Sequence, residues 1–568
     1  MRQKIQKLVL NALKNLYGIE KDILVDIPKD ESADYSVNTA LQCSKELGKN
    51  SKDIAQEILK EIKDNDEFEK IEIAEPGFIY FTLKKESLID LMLNSKESWR
   101  NEDLLKGQKI MVEFAHPNTH KAFHIGHLRN ICLGESLVRL LESQEGEIFR
   151  ANYQGDIGPH VAKCLWALKQ EKKEIIEKIS KSSPQEKAEF LGKMYAKGGS
   201  TYEKDEASKS EILKINKIIY EENDESIINL YKISRQWSLD YFDFIYERLG
   251  TKKFDRLFFE SEVWESGKEI VEKNTGKVFK ESNGAVVFEG EDFGLHTRVF
   301  ISSEGNPTYE AKEMGLAVLQ KETFDYDKNI HVVANEQATY FKVVIEAMYQ
   351  IFPELKGRQE HLSYGMVKLT SGKMSSRTGD VITAEWLIDE AKAKILKILE
   401  DRGLTKEEKE DIADKVAIGA IKFTMLHTMA KNDIAFDLEK AVRLDGDSGP
   451  YLQYAHARIC SILSKTGEIG ECFLQDFDEF NEYDWKLLKK IQYFPYHVSR
   501  SAKEMSPHHL THYLLKLVSE FSSWYSKNSV QNAESDSLKI ARIELLKFLR
   551  TTLKKALYLL GIEAPEKM

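Results

Sequence analysis

The sequence predicts a multidomain protein of class α/β plus α: an α/β core interrupted by a helical insertion, with a small α+β domain before it and a helical bundle after it. Three observations lead there. Short apolar runs suited to buried parallel strands stand at residues 109–115 and 329–334, and each is followed by a helical pattern. Between them, residues 161–250 are helical in pattern and rich in Lys and Glu, as expected of an insertion with a solvated face. From residue 446 to 568 the pattern is almost purely helical. A chain of 568 residues has room for about three or four domains. The divisions expected are 1–105, 106–385 (insertion about 161–250), a helical connection at 386–445, and 446–568.

Taken in order, the N-terminal stretch MRQKIQKLVLNALKNLYG places Ile5, Leu8, Val9, Leu13 and Leu16 on one face of a first helix. Helical patterns follow at 38–47 and 52–63. Strands are expected at 71–74 and, after the turn Glu75-Pro76-Gly77, at 78–83, FIYFTL. Nothing in this module resembles catalytic machinery, so a scaffold or binding role is expected. At 109–144 a strand breaks at Pro117-Asn118, a polar turn runs to Phe123, and a helix begins near the tetrad His124-Ile125-Gly126-His127. Such a strand–turn–helix presents free N–H groups and the positive helix end to an anion. His124 and His127 can donate to phosphate oxygens, and Gly126 keeps the approach to the backbone clear. Two histidines three apart also occur by accident, so the tetrad needs a partner elsewhere.

ANYQGDIGP at 151–159 reads as turn chemistry at a strand end, where open α/β sheets place ligands. In the insertion, GGS at 198–200 predicts a helix break, and the basic tract 171–181 predicts exposed helix surface. Residues 277–309 look strand-like, so the α/β core is expected to resume there and to complete itself through 329–334 and a helix at 340–352. The partner segment is YGMVKLTSGKMSSRTGD at 364–380. Lys373, Ser375, Ser376 and Arg377 lie between Gly372 and Gly379, where they can converge on a polyphosphate and neutralise charge on a leaving pyrophosphate.

The five cysteines are odd in number and widely spaced, which predicts neither a disulfide framework nor a zinc site and suits a reducing cytoplasm. No segment has the roughly 18–20 apolar residues that span a bilayer, so no membrane partner is expected. No obligate protein partner is evident either. The net charge is −11, yet residues 500–568 carry 11 Lys and Arg against 7 Asp and Glu. Basic residues among aromatics suit single-stranded RNA.

The two motifs, HIGH and KMSSR, stand about 250 residues apart and resemble the signature pair of class I aminoacyl-tRNA synthetases. EFAHPNTHKAFHIGHLRN, NYQGDIG, PTYEAKEMGLA, KMSSRTGDVITAEWLIDEA, GDSGPYLQYAHARI and LGIEAPEKM are similar to the arginyl family within that class. DYSVNTAL and EPGFIYFTL resemble its extra N-terminal domain, which leans on the tRNA body. The resemblance implies a Rossmann-like catalytic core and an anticodon-binding bundle. It implies ATP (with Mg2+), arginine and tRNA(Arg) as substrates and partners, and activation that requires tRNA. His124, Gly126, His127, Ser375 and Ser376 would bind ATP, and Lys373 would stabilise the leaving pyrophosphate. Many members lack that lysine and use one before the HIGH tetrad; this chain has both Lys121 and Lys373. Glu113, Asn118, Tyr309 and Gln337 match arginine-pocket positions, and the usual Asp four after Tyr309 is Glu313 here. A synthetase for another amino acid and a non-catalytic RNA-binding paralogue are the alternatives.

Overall fold

The computed structural model describes the chain except residues 29–31, 64, 96–98, 100–102, 371–381 and 467–469. The N-terminal unit contains α1 (Arg2–Tyr17), β1 (Val25–Asp26), β2 (Tyr35–Val37), α2 (Thr39–Leu47), α3 (Ser51–Ile62), β3 (Phe68–Ala74), β4 (Phe78–Leu83) and α4 (Lys85–Ser95). Its antiparallel sheet runs β1-β2-β4-β3. Ile5, Val9 and Leu13 of α1 are buried, the amphipathic stripe the sequence predicts.

The core follows: β5 (Lys109–Glu113), α5 (Ile125–Glu142), β6 (Glu147–Gln154) and the insertion helices α6 (Pro159–Lys169), α7 (Lys173–Ser180), α8 (Pro184–Lys204), α9 (Glu206–Glu221) and α10 (Glu225–Arg248). Next come β7 (Arg256–Phe259), α11 (Glu260–Lys273), β8 (Lys280–Ser282), β9 (Ala285–Phe288), β10 (Arg298–Ile301), α12 (Tyr309–Thr323), β11 (Lys328–Ala334), α13 (Ala338–Ile351), β12 (Gln359–Tyr364) and β13 (Val367–Leu369). One parallel sheet, ordered β12-β11-β5-β6-β7, puts β5 at its centre, with β11 and β6 on either side. That centre explains why β5 is so apolar: Met111 and Val112 have no exposed surface.

Two expectations need correction. The GGS triplet does not break a helix, because α8 runs through it. Gly198 is instead a contact point: a Cβ there would lie 2.0 Å from the Lys163 carbonyl oxygen, so glycine is what lets α6 and α8 pack closely. Residues 277–309 do not rejoin the core sheet either. Strands β8, β9 and β10 form a separate antiparallel sheet, and the core is completed by β7, β11 and β12. The tract at 171–181 becomes α7, which buries none of its residues.

α14 (Ala384–Ile398), α15 (Lys406–His427), β14 (Ile434–Phe436) and α16 (Leu438–Ala441) connect to the last helices. Strand β14 pairs in parallel with β13, so this connection is not wholly helical. α17 (Gly449–Ser464), α18 (Glu482–Gln492), α19 (Phe494–Lys503), α20 (His508–Lys527) and α21 (Asp536–Leu559) make the bundle. Of the core positions expected there, Leu452, Leu514, Leu517, Val518, Phe521, Trp524, Leu545, Leu549, Leu557 and Leu560 are buried, whereas Tyr454 and Leu515 are half-buried. The N-terminal unit docks on this bundle through Lys489–Asp34 (3.1 Å) and a hydrogen bond from the Tyr496 hydroxyl to Asp26. Among the described residues no helix is long and apolar enough to cross a membrane.

Candidate active site

The first signature folds as a helix cap. His124 is the N-cap of α5, and its Nδ1 accepts from the Gly126 N–H at 3.1 Å. His127 Nδ1 in turn accepts from the His124 N–H at 3.1 Å. Both Nδ1 atoms are therefore acceptors, so each neutral ring carries its proton on Nε2 and offers an N–H donor away from the helix. Burial, then the Lys121 charge, pushes His124 below the ordinary histidine range; burial and then His124 push His127 lower still. The rings stack with centroids 3.8 Å apart. Gly126 has a local reason as well: a Cβ there would meet the His124 ring at 2.9 Å.

The second signature, with Lys373, Ser375 and Ser376, lies outside the described residues. The segment after it is anchored at the first signature. His124 forms a backbone bridge with Thr383, Ile125 N–H donates to the Ile382 carbonyl (3.2 Å), and Ala384 N–H donates to the Phe123 carbonyl (2.9 Å). Before it, Arg129 of α5 holds the approach to β13. Its guanidinium donates to the carbonyls of Gly365 (2.7 Å), Met366 (3.2 Å), Ala430 (2.7 Å) and Asn432 (2.7 Å). The next residue, Asn130, accepts from the Ala115 N–H at 2.6 Å and donates to the Val332 carbonyl at 2.7 Å. Ala115, His116 and His120 all have positive φ (78°, 46° and 63°), so the turn between β5 and α5 is held in a conformation that side chains disfavour. His120, fully inside, is pinned to α10: its Nε2 lies 2.9 Å from the Ser234 hydroxyl and its N–H donates to Ser238 at 2.9 Å.

The carboxylates gather at the C-terminal ends of the parallel strands, where an open sheet binds ligands. Glu113 ends β5 and is 1% exposed. One of its oxygens lies 3.4 Å from His331 Nδ1 and 3.5 Å from His116 Nδ1, and the other accepts from the Gln320 amide. Burial opposes its ionisation, but His331, His116 and the Gln320 amide together outweigh burial and hold the carboxyl at about 2. Glu313 faces the same space from α12; burial, then the Glu113 charge, raises its carboxyl to about 8. It accepts only a long contact (3.4 Å) from the Tyr340 hydroxyl. Asn118 approaches β6 so closely that a Cβ on Gly155 would lie 2.2 Å from its Oδ1. Tyr309 starts α12, exposed, with Lys312 Nζ 5.2 Å from its ring centre. Gln337 is exposed in the turn after β11. Lys121 is half-buried with Nζ 5.6 Å from the Tyr195 ring centre, and burial, then Lys163, lowers its pKa.

Several residues that were not named singly among the candidate site residues adjoin this space. Glu260 and Lys312 form a buried ion pair at 2.6 Å. The Tyr153 hydroxyl and the Gln154 amide are buried without a hydrogen-bond partner among the described residues, an arrangement that suits an incoming polar ligand. Their position at the end of β6 was the available signal. Asp156, in the turn the sequence marks for ligands, is instead occupied by its own chain: Tyr231 (2.9 Å) and Ser261 (2.7 Å) donate to it, and Arg235 lies at 3.3 Å.

The chain is similar to known proteins along its whole length. The family model "tRNA synthetases class I (R), catalytic domain" matches residues 87–438. The models for the arginyl tRNA synthetase N terminal domain and the DALR anticodon binding domain match residues 3–83 and 452–568. An arginine–tRNA ligase of Borrelia hermsii is 31% identical over 558 residues, covering 95% of this chain and 94% of its own. One from Treponema denticola is 33% identical over 499 residues, 85% of this chain and 83% of its own. The solved structure of Thermus thermophilus arginyl-tRNA synthetase superposes with a TM-score of 0.83 at 26% identity, with both chains fully covered. A central parallel sheet with an imidazole-capped helix and a carboxylate cluster at its strand ends, matched along its whole length in this way, belongs to the arginyl family of class I tRNA synthetases.

Proposed function

We propose that the chain activates arginine with ATP and transfers the arginyl group to tRNA(Arg). In the first step a carboxylate oxygen of arginine attacks the α-phosphorus of ATP; the bond to the β,γ-phosphates breaks and pyrophosphate leaves. In the second, a hydroxyl of the terminal ribose of tRNA attacks the carbonyl carbon of arginyl-adenylate, and AMP leaves with the bonding electron pair. The observation that carries this is the carboxylate cluster beside the imidazole turn: His116, 3.5 Å from Glu113, also lies close enough to influence His127.

The Nε2–H groups of His124 and His127 serve as preorganised donors to the phosphate oxygens, where charge grows during displacement. Lys373 neutralises the leaving pyrophosphate, with Ser375 and Ser376 on ATP, and Lys121 adds a second ammonium from the turn before α5. Glu113, Glu313, Asn118, Tyr309 and Gln337 receive arginine. A guanidinium is all donors, so a pocket of carboxylates, amide oxygen and phenol matches it, and a neutral side chain would leave buried carboxylates unmatched. Among the described residues no group of three or more His, Cys, Asp or Glu side chains is placed to hold a metal. Mg2+ carried on the ATP phosphates, as the family resemblance implies, would screen their charge. The N-terminal unit (residues 1–105) leans on the tRNA body, and the bundle (residues 446–568) reads the anticodon.

The test is ATP–pyrophosphate exchange across a panel of amino acids, with and without cognate tRNA. Exchange is expected with arginine and tRNA together. Exchange driven by a different amino acid, or none under any condition, overturns the assignment.

A further inference from the structure

His331 has no place in the chemistry above, yet it lies against the arginine pocket, 3.4 Å from Glu113. Parallel pairing of β11 with β5 sets it directly beside Glu113. Its Nε2 lies 2.8 Å from the Gln359 side-chain oxygen. The Gln359 amide is oriented by its own nitrogen, which donates to the Tyr326 hydroxyl at 2.8 Å. Gln359 therefore presents an acceptor, and His331 Nε2 must carry a proton. The other nitrogen, Nδ1, faces a carboxylate oxygen of Glu113 at 3.4 Å. A neutral ring would leave the Glu113 carboxylate without this cation in a site where neither group reaches water, since both side chains are at most 3% exposed, and the Glu113 charge accordingly raises the His331 pKa against burial. Protonated at both nitrogens, the ring is an imidazolium paired with Glu113.

We propose that His331 is a positioning residue of the arginine pocket: braced by Gln359 and Tyr326, it pairs with Glu113 from inside the sheet and keeps that carboxylate in the form a guanidinium can meet. The groups around it give the same sense. From β5 and the turn after it come Glu113 and His116, from α12 Glu313, from α13 Tyr340 touching Glu313, and from β12 His361. Glu260 faces Glu313 from α11 but has Lys312 as its own partner. Of the groups that bear on Glu113 and Glu313 together, His331 is the one whose charge favours ionisation of both. Without it, two buried carboxyls face each other with less to oppose their protonation.

This inference rests on the arginine-pocket reading, and the experiment separates the two. Arginine kcat/KM is measured by tRNA aminoacylation from pH 6 to 9 for the wild type, His331→Gln and Gln359→Leu. For His331→Gln the acid limb is expected to move up by at least one pH unit, with arginine KM at pH 7 raised tenfold or more. The loss should fall on KM for arginine rather than on kcat or KM for ATP. Gln359→Leu, which removes the brace and leaves the ring, is expected to move the limb the same way by less, and decides the matter if His331→Gln does not fold. A wild type without arginine-dependent activity would defeat the pocket reading itself. Arginine activity in the wild type with superimposable pH limbs in the variants overturns the role of His331 alone.

Discussion

Lys312 Nζ lies 2.6 Å from a carboxylate oxygen of Glu260, and both side chains are almost wholly removed from water. The pair spans α11 and α12, and the Lys312 ammonium also lies 3.3 Å from the Tyr220 hydroxyl of α9. It thereby ties the insertion to the wall of the pocket. Lys312→Met leaves a buried carboxylate without its partner, a change that typically costs about 3–5 kcal/mol. The double variant Glu260→Gln/Lys312→Met removes both charges and is expected to recover much of that loss. Urea unfolding of the wild type and the two variants measures it; equal loss in the single and double variants would mean that the pair is not the source.

Substitution at His124 separates cap from chemistry. Asparagine is a good N-cap and can accept from the Gly126 N–H, but it lacks the Nε2–H donor of the imidazole. His124→Asn should therefore melt close to the wild type while the rate of arginine activation falls on the order of 10²–10³-fold. His124→Ala loses the cap as well and should be about 1 kcal/mol less stable. Unchanged turnover in the Asn variant would remove His124 from phosphate binding.

Gly155→Ala tests how tightly Asn118 is placed. The new methyl would fall 2.2 Å from Asn118 Oδ1 and 3.2 Å from a Glu260 oxygen, so the Asn side chain must move. KM for arginine is expected to rise tenfold or more, with KM for ATP within about twofold. An equal rise for both substrates would point to a general distortion of the sheet edge.

The Glu313 carboxyl, raised by burial and the Glu113 charge to about 8, gives arginine binding a pH dependence. Only its ionised form matches a guanidinium, so KM for arginine should fall as pH rises from 6 towards 8 and then level. The stability effect has the opposite slope. Without arginine the folded protein keeps this proton, whereas the unfolded chain releases it near pH 4.5. Its contribution therefore declines between pH 4.5 and 8, and arginine should reverse the decline. Comparison of melting in wild type and Glu313→Gln across that range isolates the group; parallel curves would mean that Glu313 is already ionised. Glu313→Asp draws the carboxyl away from Tyr340 and should weaken arginine binding as well.

The features legible in the sequence were those carried by contiguous residues. The turn at 117–127 announces itself because Pro117, Asn118 and two histidines fall between an apolar strand and an apolar helix. Its neighbours did not, because they sit singly on different strands. His331 is one polar letter within NIHVVA, and a continuous buried run gives no hint of which residue lies beside it across the sheet. Strand β12, QEHLSY, lies at the sheet's edge and keeps the polar residues that hide its nature. Strand β7 is four residues long, too short to display a period. At Gly198 the composition suggested a turn, but glycine served a helix crossing that only the tertiary structure reveals.

Arg129 separates distance along the chain from distance in space. It leaves α5 within two residues of the first signature and grips the two segments that lead into the paired strands β13 and β14, residues 365–366 and 430–432. The start of β13, which precedes the second signature in the chain, is thus referred to the helix that carries the first rather than to the long stretch of polypeptide between them. That stretch is free to gain or lose helices, as in the insertion at 161–250, so long as its two ends return to the same arginine. Evolution can lengthen the intervening chain without retuning the chemistry.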